Sequence, residues 1–262
     1  MFMIFDTHSH LFSEEFDNDR KECLKRCNDL NMKLMLVGYS HAGNQKAYDL
    51  AQTNENFYCS AGLHPDQAGP NYKDDILKLE AFLNSHKVNA LGEIGLDYHY
   101  EDGPLKEYQI PLFKEQMDIA LKRNLPVIIH TRDAWQDTLE ILKPYAHKLN
   151  CILHCYSGSL EMAREFIKMG FYIAIGGAVT FKNSKEIKRV CANIDLNYML
   201  VETDCPYITP TPFRGKGNES AYIIYTIEEI SKIRELSILE IEKITYNNAY
   251  KAFNLEVPYE KN

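Results

Sequence analysis

A basic excess is absent from this sequence: 29 lysines and arginines stand against 37 aspartates and glutamates, giving a formal net charge of −8. That balance speaks against a protein coating duplex nucleic acid through a broad basic surface. A phosphate could still be drawn to a locally positive site. No apolar run approaches membrane-spanning length. The opening MFMIFDTHSH lacks a basic n-region, a long apolar stretch and a small-residue cleavage site, so no secretory signal and a cytoplasmic location are expected. No C-x-x-C pair occurs among the seven cysteines, an odd number that fits reduced thiols. Cys23 and Cys27 lie four apart in a segment with helical spacing, where packing is their expected role. The GxGxxG and Walker A patterns are also missing, as are low-complexity tracts, heptads and an exposed apolar stripe. A monomer without a dinucleotide or P-loop site is the expectation.

What the sequence does have is repetition of short β-rich runs. IFDTH near residue 4, KLMLVGY from 33, FYCSAGLH from 57, VNALGEIGL from 88, PVIIHT from 126, NCILHCY from 150, FYIAIGG from 171 and YMLVETD from 198 make eight. Between them lie helix-patterned stretches such as SEEFDNDRKECLKRCNDLN, KEYQIPLFKEQMDIALKRN and SLEMAREFIKMG. Strands alternating with helices imply parallel strands joined by crossovers. Eight repeats over residues 1–262 predict a single-domain α/β fold, a TIM-like (β/α)8 barrel, with an open doubly wound sheet as the rival. Pro206 to Ser220 reads as the one long irregular loop. Two helices are expected after it, the second capped by Ser237 with Glu240 completing a capping box.

The chemistry-bearing residues fall at the ends of these runs. His8 and His10 end the first, His64 the third, His130 the fifth, His154 the sixth and Asp204 the eighth, while Glu93 is placed late in the fourth. In a closed barrel those ends open on one face, where such folds place their active sites. Seven ligand-capable side chains would converge there, which points to a metal site. Four of these imidazoles with the two carboxylates already exceed the needs of one tetrahedral ion. Two divalent cations with Glu93 bridging, and Asp204 both holding one ion and taking a proton from water, are the economical reading. The nitrogen and oxygen donors admit Zn, Mn, Fe or Ni, and Mg if substrate phosphates contribute. His41 is a weak candidate, and His86, His99 and His147 are background. Arg214 and Lys216 in the loop after Asp204, and Arg132 after the fifth run, offer cations for phosphate. Arg132 could equally hold Glu202.

With these residues assembled, the sequence resembles the TatD family of metal-dependent deoxyribonucleases. The motifs are FDTHSHL, AGLHP, LGEIGLDYHY, Gln109 with Phe113 to Gln116, VIIHTRDA, ILHCYSGS, VETDCPYITP, RGKGNE and NNAYKAF. GEIGLDY, HCYSG and ETDCPY in that order are specific, whereas HxH alone is common. The resemblance implies a two-metal hydrolase, with His8, His10, Glu93 and Asp204 around one ion and Glu93, His130 and His154 around the other. It also implies substrate contacts from His64, Arg214 and Lys216, and Gly217 and Ser220 depart from the family's usual RGKRNEP. The expected activity is hydrolysis of DNA phosphodiesters at single-stranded or frayed ends. Hydrolysis of another ester, such as D-aminoacyl-tRNA, and a catalytically inactive metal-binding barrel remain the alternatives.

Overall fold

The computed structural model describes residues 3–256, so the outermost ends of the expected 1–262 domain lie outside the described residues. All eight expected strands form: β1 (Phe5–Ser9), β2 (Lys33–Val37), β3 (Phe57–Ala61), β4 (Ala90–Asp97), β5 (Val127–Arg132), β6 (Cys151–Leu153), β7 (Tyr172–Ile175) and β8 (Met199–Val201). They pair in sequence order, all parallel. Their near-continuous apolar content suits strands buried on both faces. Nine α-helices occur among the described residues: α1 (Arg20–Asp29), α2 (His41–Ala51), α3 (Tyr72–Ser85), α4 (Lys106–Arg123), α5 (Trp135–Leu142), α6 (Leu160–Lys168), α7 (Lys185–Asn193), α8 (Ile223–Arg234) and α9 (Ile238–Ala252). The capping box forms as expected, Ser237 and Glu240 bonding reciprocally at the start of α9. Cys23 and Cys27 are buried on α1, and all seven cysteines are free thiols.

Closure of the barrel is achieved beyond the last strand. The Asp204 N–H donates to the His8 carbonyl at 2.9 Å, and the His10 N–H to the Cys205 carbonyl at 3.0 Å. Ser9 and Cys205 form the parallel bridge. The seam that completes the sheet therefore fixes His8, His10 and Asp204 relative to one another. The loop expected at Pro206 to Ser220 is anchored behind this seam. Asn218 donates to the Thr203 and Tyr207 carbonyls at 2.9 and 2.6 Å, and Ser220 bonds Ser9 at 3.0 Å.

The opposite end of the barrel is apolar. Phe5, at the start of β1, lies 5.7 Å from the Tyr250 ring and 5.8 Å from the Phe253 ring, both from the C-terminal end of α9. Met35, Ile128, Ile152 and Leu200 belong to the same buried cluster. Burial of an aromatic or branched side chain contributes roughly 1.5–3 kcal/mol, so this plug stabilises the barrel beneath the polar end. Between β4 and β5 the backbones approach unusually closely. A Cβ on Gly95, which has φ +148°, would stand 1.9 Å from the His130 carbonyl oxygen. Glycine is required there, and the close approach draws Glu93 towards His130.

Candidate metal centre

Glu93 lies at the middle of β4 rather than late in it, because the strand runs four residues further, to Asp97 at the rim. From that position its two carboxylate oxygens face different imidazoles. Oε2 stands 3.3 Å from His8 Nε2 and 3.8 Å from His10 Nε2. Oε1 stands 2.9 Å from His130 Nδ1 and 2.8 Å from His154 Nε2, with His64 Nε2 at 3.7 Å. On the first side, Asp204 Oδ1 adds an oxygen 3.7 Å from His8 Nε2 and 3.6 Å from His10 Nε2. The seven side chains expected to converge do so.

The atoms brought together fit divalent cations. His8 Nε2 and His10 Nε2 are 3.1 Å apart, and His130 Nδ1 and His154 Nε2 3.3 Å. Neighbouring donors around a tetrahedral ion with bonds of about 2.0–2.1 Å stand roughly 3.4 Å apart. The tautomer of His10 is suitable: its Nδ1 lies 2.8 Å from the Val37 carbonyl, to which only an N–H can bond, so Nε2 keeps its lone pair. In three groups among the described residues the donor atoms lie within 4.8 Å of one another: His8, His10 and Asp204; His64, Glu93 and His130; and His8, His154 and Glu202.

Electrostatics agree with a centre that demands positive charge. Burial would raise the Glu93 pKa, but the His154 and His8 charges and the His130 and His154 hydrogen bonds hold it well below the ordinary value. Asp204 is lowered in the same way: burial opposes the shift, and the hydrogen bond to His10 leads the groups that overcome it. Burial disfavours a charged His154, yet Glu93 and Glu202 hold its pKa well above the ordinary imidazole value. Burial dominates at His8, whose pKa is lowered. Without an ion, protons supply the charge that this pocket calls for.

Several supporting residues escaped the sequence reading. Asp97 Oδ2 is 3.1 Å from His130 Nε2 and so fixes that ring. Its even spacing from Glu93 on one strand was a signal that both face the same side. Glu202, expected as a possible partner of Arg132, is fully buried beside His154 instead, its Oε1 3.5 Å from Nδ1 and accepting the Cys155 N–H. Two family-motif glutamines act as backbone clamps. Gln116 bonds both the N–H and the carbonyl of Leu63, at 2.8 and 3.0 Å, and thereby holds the segment carrying His64. Gln109 does the same for Asp97, at 2.8 and 2.7 Å.

The centre opens into a cavity of about 1040 Å³. His10, His64, Glu93, His130, His154 and Asp204 line it, as do Arg132 and Lys185. Arg214 and Lys216 are not among its lining residues: the Arg214 guanidinium lies 4.1 Å above the Phe181 ring and the Lys216 ammonium 5.7 Å from the Phe213 ring. Arg132 donates to the Tyr100 hydroxyl at 3.1 Å rather than to Glu202. The background histidines stand apart, His41 against Asp75 at 3.3 Å and His99 against Asp133 at 2.8 Å.

Comparison with known proteins places this geometry among metal-dependent hydrolases. A family model described as "TatD related DNase" matches residues 5–254. The uncharacterized metal-dependent hydrolase YabD of Bacillus subtilis is 40% identical over 255 residues, covering 97% of this chain and all of that protein. YcfH of Escherichia coli, of the same description, is 33% identical and covers 98% of this chain and 97% of its own. The crystal structure of the Escherichia coli TatD homologue YjjV superposes with a TM-score of 0.89 at 28% identity, covering 97% of this chain and 99% of that one. An uncharacterized amidohydrolase from Saccharomyces cerevisiae shares the fold at TM-score 0.85 and 17% identity, over 96% of this chain and all of its own.

Proposed function

The chain belongs to the TatD family of metal-dependent hydrolases, and from that premise we propose that it cleaves phosphodiester bonds of DNA, trimming single-stranded or frayed ends. The observation carrying this reading is the division of Glu93, whose Oε2 faces His8 and His10 while its Oε1 faces His130 and His154. A carboxylate so placed is suited to bridge two cations, one held with His8, His10 and Asp204, the other with His130 and His154. Such a pair of ions, whether Zn, Mn, Mg, Fe or Ni, supplies Lewis acidity to a phosphoryl group.

The chain's own residues account for the proton. Asp204 lines the cavity as a carboxylate whose pKa is held below the ordinary value, so it is free to accept a proton from the attacking water. The water oxygen forms the new bond to phosphorus as its proton passes to an Asp204 oxygen, and the bond to the departing deoxyribose oxygen breaks, that oxygen taking a proton from solvent. Asp97 and Glu202 keep the His130 and His154 rings in orientation. His64, at the cavity wall, is a substrate contact, and Arg214 and Lys216 are outlying contacts for a longer strand.

The test is end-labelled single-stranded DNA incubated with metal-loaded protein beside Asp204→Asn. Shortening of the label by the wild type, and loss of at least about a hundredfold in rate by the variant, support the reading. Equal behaviour of the two overturns it.

A further inference from the structure

Two large aromatic rings remain in solvent at the cavity, Tyr100 at 59% and Tyr207 at 56% exposure. Of the seven large apolar side chains exposed among the described residues, these two alone line it. They flank the centre. Tyr207 lies edge-on to His10, ring centroids 6.4 Å apart, on the side facing Glu93 Oε2. Tyr100 is tied to Arg132, which sits two residues beyond His130 on β5, on the side facing Oε1. Even spacing on a strand puts Arg132 and His130 on one face, about 6.6 Å apart along it.

The charges of the cavity wall divide in a consistent way. Its carboxylates are engaged: Asp66 by His64, Asp97 by His130, Asp204 by His10, and Glu186 by the Leu160 N–H and Arg189. Its two cations are not. Neither Arg132 nor Lys185 has a carboxylate within 4.0 Å among the described residues, although Asp97, Glu186 and Asp204 line the same cavity. The Arg132 guanidinium lies 5.1 Å from the Tyr100 ring and bonds its hydroxyl through one nitrogen, leaving the rest of its fork open. A planar cation beside an exposed ring is the arrangement that receives a phosphate with its attached base.

We propose that Tyr100, Arg132, Lys185 and Tyr207 form a polynucleotide subsite in which an unpaired strand crosses Glu93, one base on each tyrosine and the neighbouring phosphate on Arg132 and Lys185. The inference rests on the phosphodiesterase reading and adds to it the path of the strand and the residues that hold it. Bases engaged on tyrosine faces cannot be paired, so the ligand is single-stranded at the centre. The phosphate contacts beside the centre fall on β5 and the start of α7, with the Arg214 loop outside the cavity wall.

The test is fluorescence anisotropy with labelled oligothymidylate, in Mn²⁺, on the Asp204→Asn protein, with thymidine monophosphate as competitor. Tyr100→Ala and Arg132→Ala should each weaken the oligonucleotide about tenfold, at least fivefold more than they weaken the mononucleotide. Tyr100→Phe should restore most of the loss, and Arg132→Ala should lower the slope of log affinity against log salt by about 0.7. Equal losses for both ligands, no loss, or a parent protein that does not bind the oligonucleotide overturns the subsite. Wild-type cleavage assayed in parallel separates the two claims: length-dependent binding without cleavage sinks the phosphodiesterase reading alone, and cleavage with unaltered variant binding sinks the subsite alone.

Discussion

The two ends of the barrel are built from the same eight strands and solve opposite problems. At the start of the strands, Phe5, Tyr250 and Phe253 close the interior with stacked and edge-on rings. At the far end, five histidines and three carboxylates from β1, β4, β5 and the segments after β1, β3, β6 and β8 meet within a few ångströms. Such a concentration of titratable groups is costly to bury unless each is paired or bound to a cation. The difference teaches that the plug carries stability and the mouth carries chemistry, so substitutions at the two ends should separate the two properties.

The largest separation is expected from Glu93→Gln, with hydrolysis falling by on the order of 10³-fold. A Mn²⁺-induced rise in melting temperature, expected for the wild type in calorimetry, should be absent from the variant. The converse is Phe253→Ala, which should lose about 3–5 kcal/mol in chemical denaturation yet keep its specific activity per folded molecule. A variant that lost both properties in either case would break the comparison.

pH should sharpen the comparison next, for metal-free protein followed by thermal melting. Burial pushes the Asp6 carboxyl, beneath the centre, from 3.8 to about 7, so the stability tied to its neutral form is full below 3.8 and is lost as pH rises towards 7. His130 and His154, held above 6.5 by carboxylates despite burial, lose their contribution in the same direction, above pH 6.5. Glu93 and Asp204, held below their ordinary values, contribute above those values and lose that contribution only in acid. His8, held below 6.5 by burial, gains stability as pH rises towards 6.5 and offsets the Asp6 loss over that range. Metal-free protein should therefore melt highest near about pH 5–6 and lower above about pH 7, and Mn²⁺ should flatten the decline. A melting temperature that rises from pH 6 to 8 without metal contradicts this assignment.

Smaller effects test the supporting residues. Glu202→Gln should weaken metal binding in a chelator competition by about 10–100-fold. His154 Nδ1 and Glu202 Oε2 are both buried without a hydrogen bond among the described residues, and Glu202 Oε1 lies 3.5 Å from His154 Nδ1 as its ion-pair partner. Lys25→Ala, which breaks an exposed pair with Asp29 within α1, should change stability by about 0.5 kcal/mol or less and leave metal affinity as it is.

Local signals made the fold legible. Each strand was visible as a short β-rich run, and the α9 capping box in Ser237 and Glu240, because these depend on neighbours in sequence. The ring of histidines was legible because barrel strands end on a common face. Asp97 and Glu202 were not assigned their roles, since both act on ring nitrogens brought close only by packing. Glu93 was placed too near the strand end because nothing in the local pattern shows how far β4 extends towards the rim. Arg214 and Lys216 follow Asp204 closely in sequence, but chain proximity does not set direction, and Phe181 and Phe213 hold them outside the cavity wall.

The central claim, two cations joined by Glu93 and used on a phosphodiester, is tested most directly by titrating metal-stripped protein with Mn²⁺ while following cleavage of end-labelled single-stranded DNA. Two ions bound per chain, with cleavage appearing as the second site fills and absent in Glu93→Gln, is the expected result. Full cleavage with one ion or none, or a Glu93→Gln protein that cuts as the wild type does, would contradict it.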